Sequence, residues 1–159
     1  EYKYNFKILN SVIDVNKNQR LLFTKKILGY FKNKLRKKQI AVWGLSFKPN
    51  TDDMREAPAI TIIKELLKHG AIVRAYDPVA IEEAKRHLGN SIKYAKTDYE
   101  ALKGADALVV VTEWHEFRRP DFEKMKKLMA GHVVFDGRNI YDPAEMRSLG
   151  FEYFGIGRV

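Results

Sequence analysis

The 159-residue chain has no cysteine, which excludes disulfides, thiolate catalysis and cysteine-based metal sites together. No apolar run approaches the roughly 20 residues that span a bilayer, and no signal-peptide pattern opens the chain. The expected compartment is the cytoplasm, with no membrane partner. Phosphate-binding fingerprints are missing as well: neither G-x-G-x-x-G nor G-x-x-x-x-G-K-[ST] occurs, so the usual backbone cradle for a pyrophosphate is absent. The histidines, His69, His87, His115 and His132, show no spacing suited to a shared metal. Negative charge is in short supply. Against 29 Lys and Arg stand 20 Asp and Glu, a net charge of +9, which attracts anionic partners at long range.

What is present is ordinary for one globular domain with an appendage: 45% hydrophobic and 31% charged residues. Part of the positive excess is local. KNKLRKK, residues 32–38, places five cations in seven positions and reads as a solvated helix end and linker, its charge favoured by the negative end of the preceding helix.

Residues 4–34 carry Phe6, Leu9, Val12, Ile13, Asn16, Arg20, Phe23, Ile27 and Phe31 at three- and four-residue spacings, which predicts one long helix. Asn16 and Arg20 interrupt an otherwise apolar stripe. The chain starts inside this pattern with no capping residue before Tyr2, as expected of a piece of a longer protein or of a helix paired with another subunit. From residue 39 the texture becomes alternation. Strands are predicted over 39–44, 71–78, 91–95, 106–114, 132–139 and 151–157. Helices are predicted over 58–70, 81–88, 98–105, 122–129 and 143–150. This order predicts a doubly wound α/β fold, a mostly parallel six-stranded sheet covered on both faces and preceded by the long helix.

Ligands in open parallel sheets bind beyond the carboxyl ends of the strands, near the switch in strand order. The segments after the strands therefore matter most. GLSFKPNTDDMREAP, residues 44–58, is far longer than a strand–helix turn requires. Lys48 can act there as a point charge for phosphate, fixed by Pro49 behind it. Phe47 can offer a ring face to a sugar or base. Asp52, Asp53 and Arg55 can tie the loop down through ion pairs, with Arg55 free to reach outward; the plainer alternative is a self-paired surface cluster. In FDGR, Gly137 permits a turn at positive φ that projects Arg138 over the rim, where a guanidinium grips phosphate or sugar hydroxyls. The alternative is a turn arginine paired with Asp136 or Asp142. Asp77 closes the second strand where dinucleotide-binding folds place a ribose-binding acid, but Asp-Pro is also a helix-entry turn, the favoured reading. Trp114 and Phe117 read as packing, with Thr112 and Glu113 on the rim. No motif identifies a nucleophile.

Taken together, IAVWGLSFKPNTDDMREAPA, GAIVRAYDPVA, TEWHEF, FDGRN and GFEYFGIGR, in that order from residue 39 onward, resemble the C-terminal part of the UDP-glucose 6-dehydrogenase family. VIDVNKNQR resembles the end of that family's central helix. The resemblance implies a Rossmann-like UDP-binding domain over residues 37–159, with residues 1–36 as the tail of the central dimerisation helix. It implies oxidation of a UDP-sugar C6 hydroxyl to a carboxylate in two NAD-dependent steps, UDP-glucose going to UDP-glucuronate. NAD would be bound mainly by an N-terminal domain, and the catalytic cysteine with its acid–base neighbours would lie upstream, so this chain is expected to be inactive alone. Residue by residue, it assigns Phe47 and Lys48 to the UDP-sugar, Lys48 near the diphosphate. It assigns Arg55 to NAD and Arg138 to substrate at the interdomain cleft. Asp52 and Asp53 become loop-orienting groups, and Asp77 receives no ligand. The partners implied are the rest of a dehydrogenase chain and a second copy, with self-association through Phe6, Leu9, Val12 and Ile13.

Other readings remain open. Sister dehydrogenases of UDP-N-acetylmannosamine or GDP-mannose share the architecture. A basic nucleic-acid-binding module would use KNKLRKK, but interleaved aromatics and a groove-reading motif are missing, so no nucleic-acid partner is expected. A phospho-receiver domain is set aside because SIKYA ends without an acid.

Overall fold

The computed structural model describes residues 6–158. Its elements run α1 (Lys7–Tyr30), β1 (Gln39–Trp43), α2 (Pro58–Lys68), β2 (Ile72–Tyr76), α3 (Ile81–Leu88), β3 (Lys93–Tyr94), α4 (Asp98–Leu102), β4 (Ala107–Val110), α5 (Phe122–Leu128), β5 (Val133–Asp136), α6 (Pro143–Ser148) and β6 (Glu152–Gly155). All six strands pair in parallel in the order β3-β2-β1-β4-β5-β6, the doubly wound arrangement whose order reverses between β1 and β4.

The central strands are apolar on both faces because both faces are covered. In β1, Ile40 and Val42 point into one core and Ala41 and Trp43 into the other, the period-two consequence of the pleat. The first core holds α2 and α3 through Ile62, Ile63, Leu66, Ala84 and Leu88. The second holds α4, α5 and α6 through Leu102, Met125 and Met146, with Trp43 stacked on Phe117 at 5.0 Å between centroids.

Right-handed crossovers put α2 and α3 over the β1–β3 half of the first face and the later helices on the opposite face. The β4–β6 half of the first face is left bare, and α1 lies across it. Phe23, Ile27 and Leu28 enter the first core. Tyr30 packs edge-on to Phe135 and Phe154, and Lys26 donates to the Gly155 carbonyl at 2.7 Å. The other end of α1 continues past the sheet with Phe6, Leu9, Val12 and Ile13 each more than half exposed. The predicted start of this helix at residue 4 lies outside the described residues.

Strand and helix ends differ from the expected ones where loop contacts take over. β4 stops at Val110 rather than continuing to 114, because Thr112 turns its hydroxyl to the Ser46 carbonyl at 2.6 Å. A 3-10 turn, His115–Phe117, follows. α4 ends at Leu102, since Gly104, at φ +70°, donates its N–H to the Leu128 carbonyl. Among the described residues, no helix is long and apolar enough to cross a membrane.

Gly44 ends β1 at φ +88°, and a Cβ there would stand 2.5 Å from the Thr112 Cβ. Gly44→Ala is expected to lower stability by about 2–4 kcal/mol, from overpacking and the left-handed backbone together. Urea unfolding followed by tryptophan fluorescence checks this; an unchanged midpoint would mean the two loops are not in tight contact.

Candidate functional site

Two buried carboxylates organise the carboxyl rim. Asp77, with no exposed surface, follows β2. Its Oδ1 accepts from the N–H groups of Val79 and Ala80 at 3.0 and 2.8 Å, the expected helix-entry turn. Its Oδ2 accepts from Leu45 N–H at 2.7 Å, from Ser46 N–H and hydroxyl at 3.1 and 3.2 Å, and from Trp114 Nε1 at 3.1 Å. The N–H groups after β1, which cradle a pyrophosphate in dinucleotide-binding members of this fold, are thus already bound by a carboxylate of the protein. Asp136, also fully buried, plays the same part after β5. It accepts from Arg138 N–H at 2.9 Å, Tyr141 N–H at 3.1 Å and the Tyr153 hydroxyl at 2.9 Å.

With its first amides drawn inward, the loop after β1 presents side chains instead. Leu45 and Met54 are buried pegs, and the Phe47 N–H donates to the Asp53 carbonyl at 2.8 Å. Between the pegs Phe47 and Lys48 stand outward, Phe47 being 47% exposed. Asp53 takes the Arg55 backbone N–H at 2.9 Å and its guanidinium at 3.0 and 2.9 Å. This is the self-paired cluster foreseen as the plainer alternative, although the Arg55 side chain is 87% exposed and keeps its outer donors in solvent. Asp52 is exposed beside this pair.

Gly137 does not adopt the expected positive φ; a Cβ there would instead stand 2.9 Å from the Val110 carbonyl oxygen. Arg138 follows it, and its guanidinium pairs with neither Asp136 nor Asp142. It donates through Nε and Nη2 to the two carboxylate oxygens of Glu113, the Nη2 contact measuring 2.7 Å. Burial pushes the Glu113 carboxyl up, and the Arg138 hydrogen bond and charge more than offset this, leaving it below the usual carboxylate range. Sequence reasoning put Glu113 on the rim without a role. Its partner lies one strand over in the sheet and 25 positions on in the chain, a distance that no local pattern encodes.

Phe47 and Arg138 meet around one cavity of about 300 Å³ at the switch between β1 and β4. Val111, Gly137 and Ile156 form its sheet side, Pro58 and Ile62 of α2 close one end, and Asn16, Gln19, Arg20 and Phe23 of α1 form the opposite wall. Asn139 fixes Ile156 by exchanging two hydrogen bonds of 2.9 Å with its backbone. Lys48 and Arg55 do not line this cavity. They sit on the outer loop, where they face whatever lies beyond the rim. The filled amides after β1 do not fit a dinucleotide cradle here. Among the described residues, no cluster of His, Asp and Glu is arranged to hold a metal ion.

A sequence model described as "UDP-glucose/GDP-mannose dehydrogenase family, UDP binding domain" matches residues 41–143. The UDP-glucose 6-dehydrogenase of Pseudomonas aeruginosa is 43% identical over 160 aligned positions, covering 98% of this chain and 35% of that protein. A solved UDP-glucose dehydrogenase from Pyrobaculum islandicum superposes with a TM-score of 0.78 at 29% identity, over 94% of this chain and 32% of that one. A UDP-D-ManNAc dehydrogenase from Pyrococcus horikoshii superposes with a TM-score of 0.77 at 27% identity, over 99% and 35%. The chain therefore spans about a third of the length of the curated relatives it matches.

The Arg55 pair holds the Asp53 carboxyl down at about 2, through the guanidinium hydrogen bond first and the backbone N–H second. A depressed carboxylate adds stability that is present above its unfolded value, near 4, and is lost as pH falls through the folded value. NMR titration of Asp53 is expected to give a midpoint of about 2, and Arg55→Ala is expected to return it towards 4. An unmoved midpoint in the variant would show that the pair does not form in solution.

Proposed function

The chain belongs to the UDP-glucose/GDP-mannose dehydrogenase family, and from that membership we propose that it forms the nucleotide-sugar-binding part of a UDP-glucose 6-dehydrogenase. The observation that carries this reading is the meeting of Phe47 and Arg138 around one cavity at the strand switch, where the fold places ligands. The 43% identity to a UDP-glucose 6-dehydrogenase supports glucose as the sugar. The likeness to a UDP-D-ManNAc dehydrogenase supports the second reading, the same domain acting on an N-acetylated UDP-sugar.

In this proposal residues 1–36 are the tail of a central helix and residues 37–159 the UDP-binding unit. Phe47 lies against the sugar or base. Lys48 meets the diphosphate from the outer loop, and Arg138, held flat by Glu113, donates in a fixed plane to phosphate or sugar oxygens. Asp53 keeps the loop closed through Arg55, and Asp52 orients it from outside. NAD, held by the remainder of the enzyme, supplies hydride acceptance in the conversion of UDP-glucose to UDP-glucuronate, and Arg55 fits one contact to it. The chain has no cysteine to serve as the catalytic nucleophile, so it does not turn over substrate alone. The cytoplasm is the proposed location.

A calorimetric titration of the chain with UDP, GDP and a short DNA duplex tests the reading. Saturable UDP binding tighter than GDP is expected, weakened roughly 10- to 100-fold in Lys48→Ala by loss of one charge-assisted hydrogen bond. DNA binding without UDP selectivity would overturn it. The exposed row Phe6, Leu9, Val12 and Ile13 is proposed to meet a second copy. Sedimentation is expected to show concentration-dependent association that Leu9→Asp with Ile13→Asp abolishes, and a monomer at high concentration would count against it.

A further inference from the structure

Asn16 and Arg20 break the apolar stripe of α1 four residues apart, on one face and one turn from each other. Both line the cavity that holds Phe47 and Arg138, with Phe23 one turn further along. Arg20 and Arg138 are the charged side chains on the wall of that cavity, facing it from a helix and from a strand end. Both arginines border the same space of about 300 Å³. Each is met by a carboxylate, but not equally. Arg138 has the two-point pair with Glu113. Arg20 touches Glu56 through one contact at 3.4 Å, to a side chain that is 85% exposed.

Such a pair contributes little to stability, so it does not account for a polar residue on an apolar stripe. The Arg20 side chain is itself only 22% exposed. Glu56 stands at the end of the loop after β1 with its backbone in the left-handed region, φ +56°, and lines a second hollow that shares Asn16, Arg20 and Phe47 with the first.

We propose that Arg20 is the second anion-binding arginine of this site, that α1 is one wall of the ligand pocket, and that Glu56 is a counter-ion displaced when ligand enters. The ligand class is a diphosphate bearing a ring that lies against Phe47 and Phe23. The inference rests on the nucleotide-sugar reading for the identity of that ring, but not for the anion. Arg20 and Arg138 close on the diphosphate from opposite walls, and Asn16 offers an amide beside them.

The test compares UDP and inorganic pyrophosphate binding by calorimetry in the intact chain, Arg20→Gln, Glu56→Gln and Arg138→Ala, with thermal unfolding of each. Arg20→Gln is expected to weaken both ligands roughly tenfold or more. Glu56→Gln is expected to tighten both by up to about fivefold, because a competing carboxylate is gone. A structural pair would move the two variants the same way, lowering the unfolding temperature and the affinity together, and that result overturns the proposal. Unchanged affinity in Arg20→Gln beside a loss in Arg138→Ala also overturns it and leaves the nucleotide reading intact. Pyrophosphate binding through Arg20 without UDP selectivity keeps the proposal and removes that reading. Failure of the unaltered chain to bind either anion overturns both.

Discussion

A carboxylate buried without water must be given hydrogen-bond donors, and this requirement, met twice, shapes the carboxyl rim. Asp77 and Asp136 have no exposed surface, and an unsatisfied charge at either place would cost several kcal/mol. Each is supplied by backbone N–H groups of the turn that follows its strand. Asp77 also draws in the first amides of the loop after β1 and the indole of Trp114. Three loops from three strands are thereby tied to one side chain. Their relative positions depend on it.

This arrangement decides how the rim meets a ligand. A loop whose amides face an internal carboxylate cannot also offer them to a phosphate. In the proposed reading, recognition passes to side chains placed beyond the tied segment, namely Phe47 and Lys48 on one loop and Arg138 on another. Side chains need holding where backbone would be rigid by itself. The Glu113 pair does this for Arg138, and the Leu45 and Met54 pegs do it for the loop that carries Phe47.

The handedness of the crossovers supplies the second constraint. It leaves half of one sheet face without a helix, and α1 fills the gap with Phe23, Ile27 and Leu28. Having been brought there to cover a core, α1 also borders the cavity at the strand switch. The beginning of the same helix extends past the sheet with its apolar row exposed. One element thus completes the domain and carries an uncovered apolar row.

Local order was largely legible from the residues. Alternation and helical period predicted all six strands and the long helix, because these signals act between near neighbours. The rim segments 44–57 and 136–138 could likewise be picked out, since strand ends are where this class of sheet places ligands. Glu113 as the partner of Arg138, Asp77 as the tie among three loops, and Arg20 beside Phe47 could not. Each joins residues 25 or more positions apart in the chain. Their meeting depends on strand order, on crossover hand and on which half-face α1 covers. The sequence by itself determined the elements, the positive charge and the residues able to bind an anion. The tertiary structure decided which carboxylates are consumed inside the protein and which guanidinium groups face one cavity, because only folding brings distant charges within hydrogen-bonding range.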